Sequence, residues 1–525
     1  MPVHRDRLIA PILRGAARLK RDQAGSMVIF SLFIFALMVA MGGLGIDLMR
    51  YEARRAKMQA TLDRAALAAA DLQQQLAPES VVRDYFAKAG LSDGLKSVNV
   101  IQTLNSRTVQ VEAEIELDTY FMHMLGVPTL PVPALGTAIE SVTDLEIGLV
   151  LDVSGSMGSN GRIGRLRDAG TDFIDLLFAN TPAENLTFSV VPYSTQVNLG
   201  QTAALLYGVA PLHPYHGCVQ VPSSTYNSTA MPLVGLLHSG HFDPDSSSNW
   251  YGGMGAPNKN CRTDAAFKVL PWSNDKAALK SKIENLTPGG WTSIEMGVNW
   301  GAALLDASAR PVLNGLITEG EVDASFAGRP FGFLEPDVMK VLVVMTDGEN
   351  TRDYEIDLPY RTGLSDVWLD GSDDYYVASI EQYNRDGDWW WNEPFYRAKT
   401  REWVMAPQGR QLTWPELFER ISVEDHAVHL RYTQYWDRST RNYWRGIESR
   451  NDKALKDQRL SQICSASKDN GIVIFTIGFE VNDAAAEIMR DCASSPAHFY
   501  RAEGLQLASA FTSIATQINE LRLVQ

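Results

Sequence analysis

Three stretches of the 525-residue chain, "LEIGLVLDV" (145–153), "VMKVLVVMTDG" (338–348) and "IVIFTIGF" (472–479), are apolar almost throughout and leave no polar face for water. Strands of that kind need cover on both sides, which a parallel sheet with helices on its two faces supplies. The surrounding sequence has the matching texture. Helical patterns occupy 162–179, 275–286, 293–307, 453–469, 483–491 and 504–521, and further strands are expected at "NLTFSVVPYS" and "HFYRA". An α/β fold with a doubly wound, mostly parallel sheet is therefore expected from residue 141 to 525. Two stretches break the alternation, about 197–272 and 350–452; both are too long for loops and are expected to be inserted subdomains.

The N-terminal part has a different build. Arg5, Arg7, Arg14, Arg18, Lys20 and Arg21 make residues 1–25 a basic arm, followed by "SMVIFSLFIFALMVAMGGLGI" (26–46), which carries no charge. As a helix this run spans roughly 31 Å, the thickness of a bilayer core. It is long for a cleaved signal peptide and lacks an A-x-A-like site at its end, so an uncleaved single span is expected. Strong helix formers continue through "IDLMRYEARRAKMQATLDRAALAAADLQQQL", predicting that the helix runs on as a stalk. Residues 79–90 read as a second helix. "SVNVIQTLN" and "RTVQVEAEIELDTYF" alternate as a hairpin about an Asn-Ser turn, and "VPTLPVPALGTAIES" reads as an edge strand or an extended linker.

All four cysteines, Cys218, Cys261, Cys464 and Cys492, follow the span, with no C-x-x-C pair. Two disulfides are expected. Pairing 218–261 and 464–492 is one of three connectivities, and buried free thiols are the alternative. Lysine and arginine counts barely orient the span. Disulfides would place the C-terminal part outside the cytoplasm, with the short basic N-terminus inside. The formal charge of −15, from 47 Lys+Arg and 62 Asp+Glu, has the wrong sign for a nucleic-acid binder.

In a doubly wound sheet, ligands bind beyond the carboxyl ends of the strands. Asp152 ends one strand in "DVSGSM" and Asp347 ends another in "TDGEN"; between them "GGWTS" places Thr292 after a Gly-Gly loop. Asp152, Ser154, Ser156, Thr292 and Asp347 form a set of hard oxygen donors suited to Mg²⁺ or Mn²⁺. With two carboxylates the ion stays under-neutralised and open to an outside anion. The competing reading is that Asp152 and the serines only cap the next helix.

"DVSGSM", "GGWTS" and "TDGEN", in that order, resemble the von Willebrand factor A domain and its metal-ion-dependent adhesion site, D-x-S-x-S with a distant Thr and Asp. The resemblance covers 144–525 without the insertions. It implies a Rossmann-like fold in which those five residues hold the metal, directly or through water, while a partner's carboxylate completes the shell. "AGSMVIFSLFIFALMVAMGGLGIDLMRYEARRAKMQATLDRAALAAA", with Asp47, Arg50, Gln59 and Asp63, is similar to the anchor of the TadG-type proteins of the Tad (Flp pilus) system, making 47–140 a TadE/TadG-like stalk and small α+β region. "CSASKDNGIVIFTIGF" and "CASSPAHFYRA" are similar to the closing segment of members that end in a von Willebrand A domain. Type IV pilins carry a glutamate five residues into the mature chain; counting from Gly25 that position is Phe30, so prepilin-peptidase cleavage is not expected.

Together these resemblances imply a metal-dependent adhesion or assembly component of the bacterial inner membrane, single-pass with a cytoplasmic N-terminus and a periplasmic C-terminal domain, that grips an acidic residue of a pilus or pilus-assembly protein. The alternatives are an envelope scaffold working with a separate ATPase, or a metal-assisted hydrolase. The sequence shows no nucleophile–base motif and no Walker motif, and no enzyme activity is expected. Eight of the 12 tryptophans lie in 351–452, including "DGDWWWNEPFYR", and are expected to form a subdomain core rather than a binding platform. "LDGSDDYYV" lacks EF-hand spacing and reads as a solvated acidic turn. In "HPYHGC", His213 and His216 are expected to be surface histidines, with zinc the weaker alternative.

Overall fold

The computed structural model describes residues 24–71, 74, 76–102, 106–141, 144–244, 246, 254–335, 337–379 and 395–524. The chain forms two compact units, residues 1–142 and 143–525.

The first unit packs helices α1 (Ala24–Ala70) and α2 (Pro78–Ala89) on strands β1 (Leu95–Gln102), β2 (Ser106–Asp118) and β3 (Thr129–Ser141). The strands form an antiparallel sheet in sequence order. β3 pairs with β2 from Thr129↔Asp118 to Ser141↔Ser106, so the proline-rich segment is an edge strand and not a linker. The basic arm up to residue 23 and Asn105 of the hairpin turn lie outside the described residues.

Among the described residues, α1 is the one helix long and apolar enough to cross a membrane, and Met27, Phe30, Phe33 and Phe35 are exposed along its apolar half. Its second half, the expected stalk, is packed against the rest of the first unit. Met58, Leu62, Ala65 and Ala69 have no exposed surface and pack with Val82 and Phe86 of α2 and Val109, Val111 and Val132 of the sheet. Propensity reports that a helix forms; burial shows that this one is core. Polar residues fasten it further. Asp47 accepts the backbone N–H groups of Tyr120, Phe121 and Met122 at 2.8–2.9 Å. Arg50 donates to the Asp118 carbonyl at 3.1 Å, and Gln59 donates to the Leu135 carbonyl at 3.1 Å.

The second unit is built on β4 (Asp144–Asp152), β5 (Leu186–Tyr193), β6 (Leu270–Ser273), β7 (Val338–Thr346), β8 (Val473–Phe479) and β9 (Phe499–Ala502). The sheet order is β9-β8-β7-β4-β5-β6, parallel except for the edge strand β6. One face carries α3 (Arg162–Asn180), α4 (Lys276–Glu284) and α8 (Gln506–Val524), the other α5 (Ile294–Ala303), α6 (Lys453–Asp469) and α7 (Asp483–Cys492). Alternate residues of β4 serve the two faces: Leu149 and Leu151 meet Phe173 and Phe511, while Val150 meets the α5 side. All nine residues of β4 and all ten of α5 are buried. At roughly 1.5–3 kcal/mol for each large apolar side chain, these elements anchor the fold.

Both interruptions of the α/β alternation carry structure of their own. The later one holds a five-stranded antiparallel sheet and short helices around Val367, Val377, Leu412, Phe418 and Trp444. Of its described tryptophans, Trp414 and Trp444 are buried, whereas Trp436 is 61% exposed; the "DWWW" run lies outside the described residues. The acidic turn is only partly solvated. Asp370 accepts the N–H groups of Ser372 and Asp374, and the buried Asp374 pairs with Arg397 at 2.8 Å.

Candidate metal centre

Register brings the two aspartates together. β4 and β7 run parallel with Leu151 opposite Met345, so Asp152 leaves the sheet beside Thr346 and Asp347. Asp152 Oδ1 accepts the Ser154 N–H at 2.8 Å, and Oδ2 accepts the Thr346 hydroxyl at 2.8 Å. The hydroxyls of Ser154 and Ser156 lie 3.0 Å apart, and Ser156 donates to Asp347 Oδ1 at 2.6 Å. The Ser154 and Ser156 hydroxyls and the Asp347 carboxylate thus form one run of oxygens, tied to Asp152 through the Ser154 N–H, across two strands. Asp152 and Asp347 at its two ends are buried, and Ser156 between them is exposed. The helix-cap alternative fails: α3 starts at Arg162 after Gly161, and no side chain bonds its first turn.

Thr292 arrives through its loop. Gly289 N–H donates to the Val153 carbonyl at 2.8 Å and Gly155 N–H to the Gly290 carbonyl at 2.9 Å, which zips "GGWTS" against "DVSGS". Gly290 has φ +84°, and a Cβ there would sit 2.9 Å from Ser194 Oγ, so the loop needs glycine at this point. Thr292 itself is buried, with its N–H on Thr351 Oγ1 at 2.9 Å and its carbonyl accepting from Lys456 Nζ at 3.0 Å.

Burial, reinforced by the neighbouring Asp347, pushes the Asp152 carboxyl up to about 7. Asp347 has a cation of its own: Arg162 Nη1 lies 2.9 Å from its Oδ2, while Arg162 Nε bonds Glu480 at 2.8 Å and Arg165 also reaches Glu480. Among the described residues, Asp152 has no ion-pair partner. A buried carboxylate short of positive charge, in a row of hard oxygens open at Ser156, fits a small divalent cation of the Mg²⁺ or Mn²⁺ kind. Asp152, Ser154, Ser156, Thr292 and Asp347 are the residues that would hold it.

Sequence reasoning missed Thr346, Arg162, Glu480 and the buried pair under the Thr292 loop. There Lys456, with no exposed surface, donates to Ser293 Oγ at 2.5 Å and stands 3.7 Å from Glu295. Neither Glu295 carboxylate oxygen accepts a hydrogen bond, and burial pushes its carboxyl up to about 7. The only signal for these residues was position. Thr346 adjoins Asp347, and Arg162 opens a helix behind the serine loop.

The cysteines pair 218–261 and 464–492. His213 and His216 are buried, contrary to their expected place on the surface, because His238 and His241 fold over them.

The strand order, the two-faced helical cover and the loop after β4 give the second unit a mixed α/β, von Willebrand A-like fold interrupted by two further substructures. The first unit contributes an anchor helix with the length and composition of a single membrane span. Residues 25–72 match the family model for putative Flp pilus-assembly TadE/G-like proteins, so the anchor is TadE/G-like. No curated protein matches the chain. Among solved structures the chain is similar to the vWF domain of the type V pili tip protein Mfa5 from Porphyromonas gingivalis, at 14% identity over 73% of this chain and 97% of that one, TM-score 0.31. It is also similar to the adhesive tip pilin GBS104 from Group B Streptococcus agalactiae, at 13% identity over 71% and 100%, TM-score 0.33. A third similarity is to the pilus adhesin SpaC from Lactobacillus rhamnosus GG, at 13% identity over 81% of this chain and 34% of that one, TM-score 0.31.

Proposed function

We propose that the protein is a membrane-anchored, metal-dependent binding component of a Tad/Flp-type pilus system, which grips an acidic residue of a pilus or pilus-assembly protein. The observation that carries this reading is the run of oxygens through exposed Ser156, with the buried Asp152 and Asp347 at its two ends. A bound Mg²⁺ or Mn²⁺ would supply an open coordination position for the partner's carboxylate. The chain's own groups do the positioning. Thr346 and the Ser154 N–H orient Asp152, Arg162 steadies Asp347, and Lys456 pins the Thr292 loop.

The TadE/G-like anchor supports a place in pilus assembly. The two disulfides favour an oxidising compartment for the second unit. With the basic arm inside, that makes an inner-membrane protein whose C-terminal unit is periplasmic. The role is binding, not catalysis.

The test is capture by full-length protein in detergent from envelope extract, with Mg²⁺ and with EDTA. Capture of a pilus component should vanish with EDTA and in Asp347→Ala. Equal capture without any divalent cation would sink the metal-dependent reading.

A further inference from the structure

Four of the nine histidines in the chain, His213, His216, His238 and His241, come together in the first insertion, and all four are buried. Their rings lie close: 4.1 Å between the centroids of His213 and His238, 4.4 Å between His213 and His216, and 5.3 Å between His216 and His241. His213, His216 and His238 can each offer a ring nitrogen such that the three atoms lie within 4.8 Å of one another. Residues of both interruptions build the cluster, since Glu419 backs His241.

The hydrogen bonds identify which lone pairs are free. Nε2 of His213 lies 2.9 Å from the Ser239 carbonyl and so donates, leaving Nδ1 with a lone pair. His241 Nε2 lies 2.5 Å from the Glu419 carboxylate, which likewise frees its Nδ1. His213 Nδ1, His241 Nδ1 and His216 Nε2 are buried and have no hydrogen-bond partner. Buried polar atoms are nearly always satisfied, so orphan ring nitrogens in one cluster call for a ligand. His213 Nδ1 and His241 Nδ1 are free lone pairs, whereas His216 accepts the Cys218 N–H at its Nδ1 at 3.2 Å, keeps its proton on Nε2 and would exchange that bond for a metal. His238 accepts the Leu212 N–H at 3.0 Å and would exchange that bond for a metal.

We propose that this cluster binds one transition-metal ion of the Zn²⁺ class, with His213, His216 and His238 as ligands and His241 within reach as a fourth. Imidazole nitrogen is the ligand such ions prefer, whereas the hard-oxygen site selects Mg²⁺ or Mn²⁺. The bonds from His213 to a backbone carbonyl and from His241 to a carboxylate are the outer contacts that fix the tautomer of a metal-bound histidine. Cys218 and Cys261 stand beside His216 but are joined to each other, so they are not donors. A cleft of about 280 Å³, lined by His213, Pro214, Tyr215, Thr362, Thr413 and Glu416, gives access from solvent.

The experiment uses full-length protein in detergent, stripped of metal and held in excess Mg²⁺, titrated with Zn²⁺ against a chromophoric chelator and separately with Co²⁺. One Zn²⁺ per chain should bind to wild type and equally to Asp152→Ala, which separates this site from the oxygen site. His213→Gln should weaken binding at least tenfold and abolish the visible Co²⁺ bands of a nitrogen-ligated site. Glu419→Gln, which leaves the imidazoles in place, should weaken it roughly 10–100-fold, and it carries the test if His213→Gln fails to fold. A wild type that takes up no stoichiometric Zn²⁺, or folded variants that bind as tightly as wild type, would overturn the site.

Discussion

Glu295→Gln isolates the buried charge beneath the Thr292 loop. Glu295 has a carboxyl at about 7 against an ordinary 4.5, raised first by burial and only partly offset by Lys456. An acid whose folded value exceeds its unfolded one contributes stability that is fully present below pH 4.5 and is lost as the pH rises through 7. Each unit corresponds to about 1.36 kcal/mol, so the loss from this group is roughly 1 kcal/mol at pH 5 and about 3 kcal/mol at pH 8. The side chain is fully buried, so solvent screening does not reduce the figure. Glutamine keeps the shape and cannot titrate, and Lys456 retains the Thr292 carbonyl and Ser293 hydroxyl as acceptors. The Gln variant should therefore gain on wild type by about 2.5 kcal/mol between pH 5 and pH 8. For residues 143–525, an unfolding entropy of about 2.1 cal/mol/K per residue converts this to a Tm difference of roughly 3 °C. Differential scanning calorimetry in EDTA at the two pH values measures it. A Tm difference that is the same at pH 5 and pH 8 would show that Glu295 is not a strained ionised group in the fold.

Asp152→Ala should remove the thermal stabilisation by Mg²⁺, which in wild type should reach about 2.7 kcal/mol at 100 times Kd; equal shifts in both would refute the ligand assignment. Cys464→Ser should cost roughly 3.5 kcal/mol in the chain-entropy model for a bridge closing a 28-residue separation, read as lost thermal stability, and non-reducing mass spectrometry should find Cys464 joined to Cys492 in wild type. Asp47→Ala strips an acceptor from three backbone N–H groups. Amide exchange at Tyr120, Phe121 and Met122 should then speed up while the amides of β2 stay protected, and unchanged exchange would deny Asp47 its fastening role.

The parts legible in the sequence are those whose signal is local. β4, β7 and β8 are long apolar runs that admit one environment, and Asp152, Ser154, Ser156 and Asp347 sit at strand ends where a doubly wound sheet must present them. The edge strand β6 was absorbed into the first insertion because Leu270–Ser273 is too short to show a period. The Arg162–Asp347–Glu480 contacts join residues far apart in the chain, and their meeting depends on how α3 lies on the sheet. The histidine cluster was half visible: His213 and His216 are close in sequence, but His238 and His241 reach them only after the chain doubles back between the paired strands Val219–Gln220 and Leu237–His238. The extension of α1 was seen as a helix, yet its burial depended on a sheet assembled from residues further on.

α1 passes without a break from the exposed apolar segment into the centre of the first unit, and Asp47 ties its midpoint to the turn at residues 120–122. A tether of loop residues would absorb a tug by uncoiling at almost no load. A single helix, gripped along its second half by Met58, Leu62, Ala65 and Ala69, yields only by breaking turns or by shearing off the sheet. Tension applied to the first unit would therefore reach the exposed apolar segment as axial force along one rod, with little lost to slack.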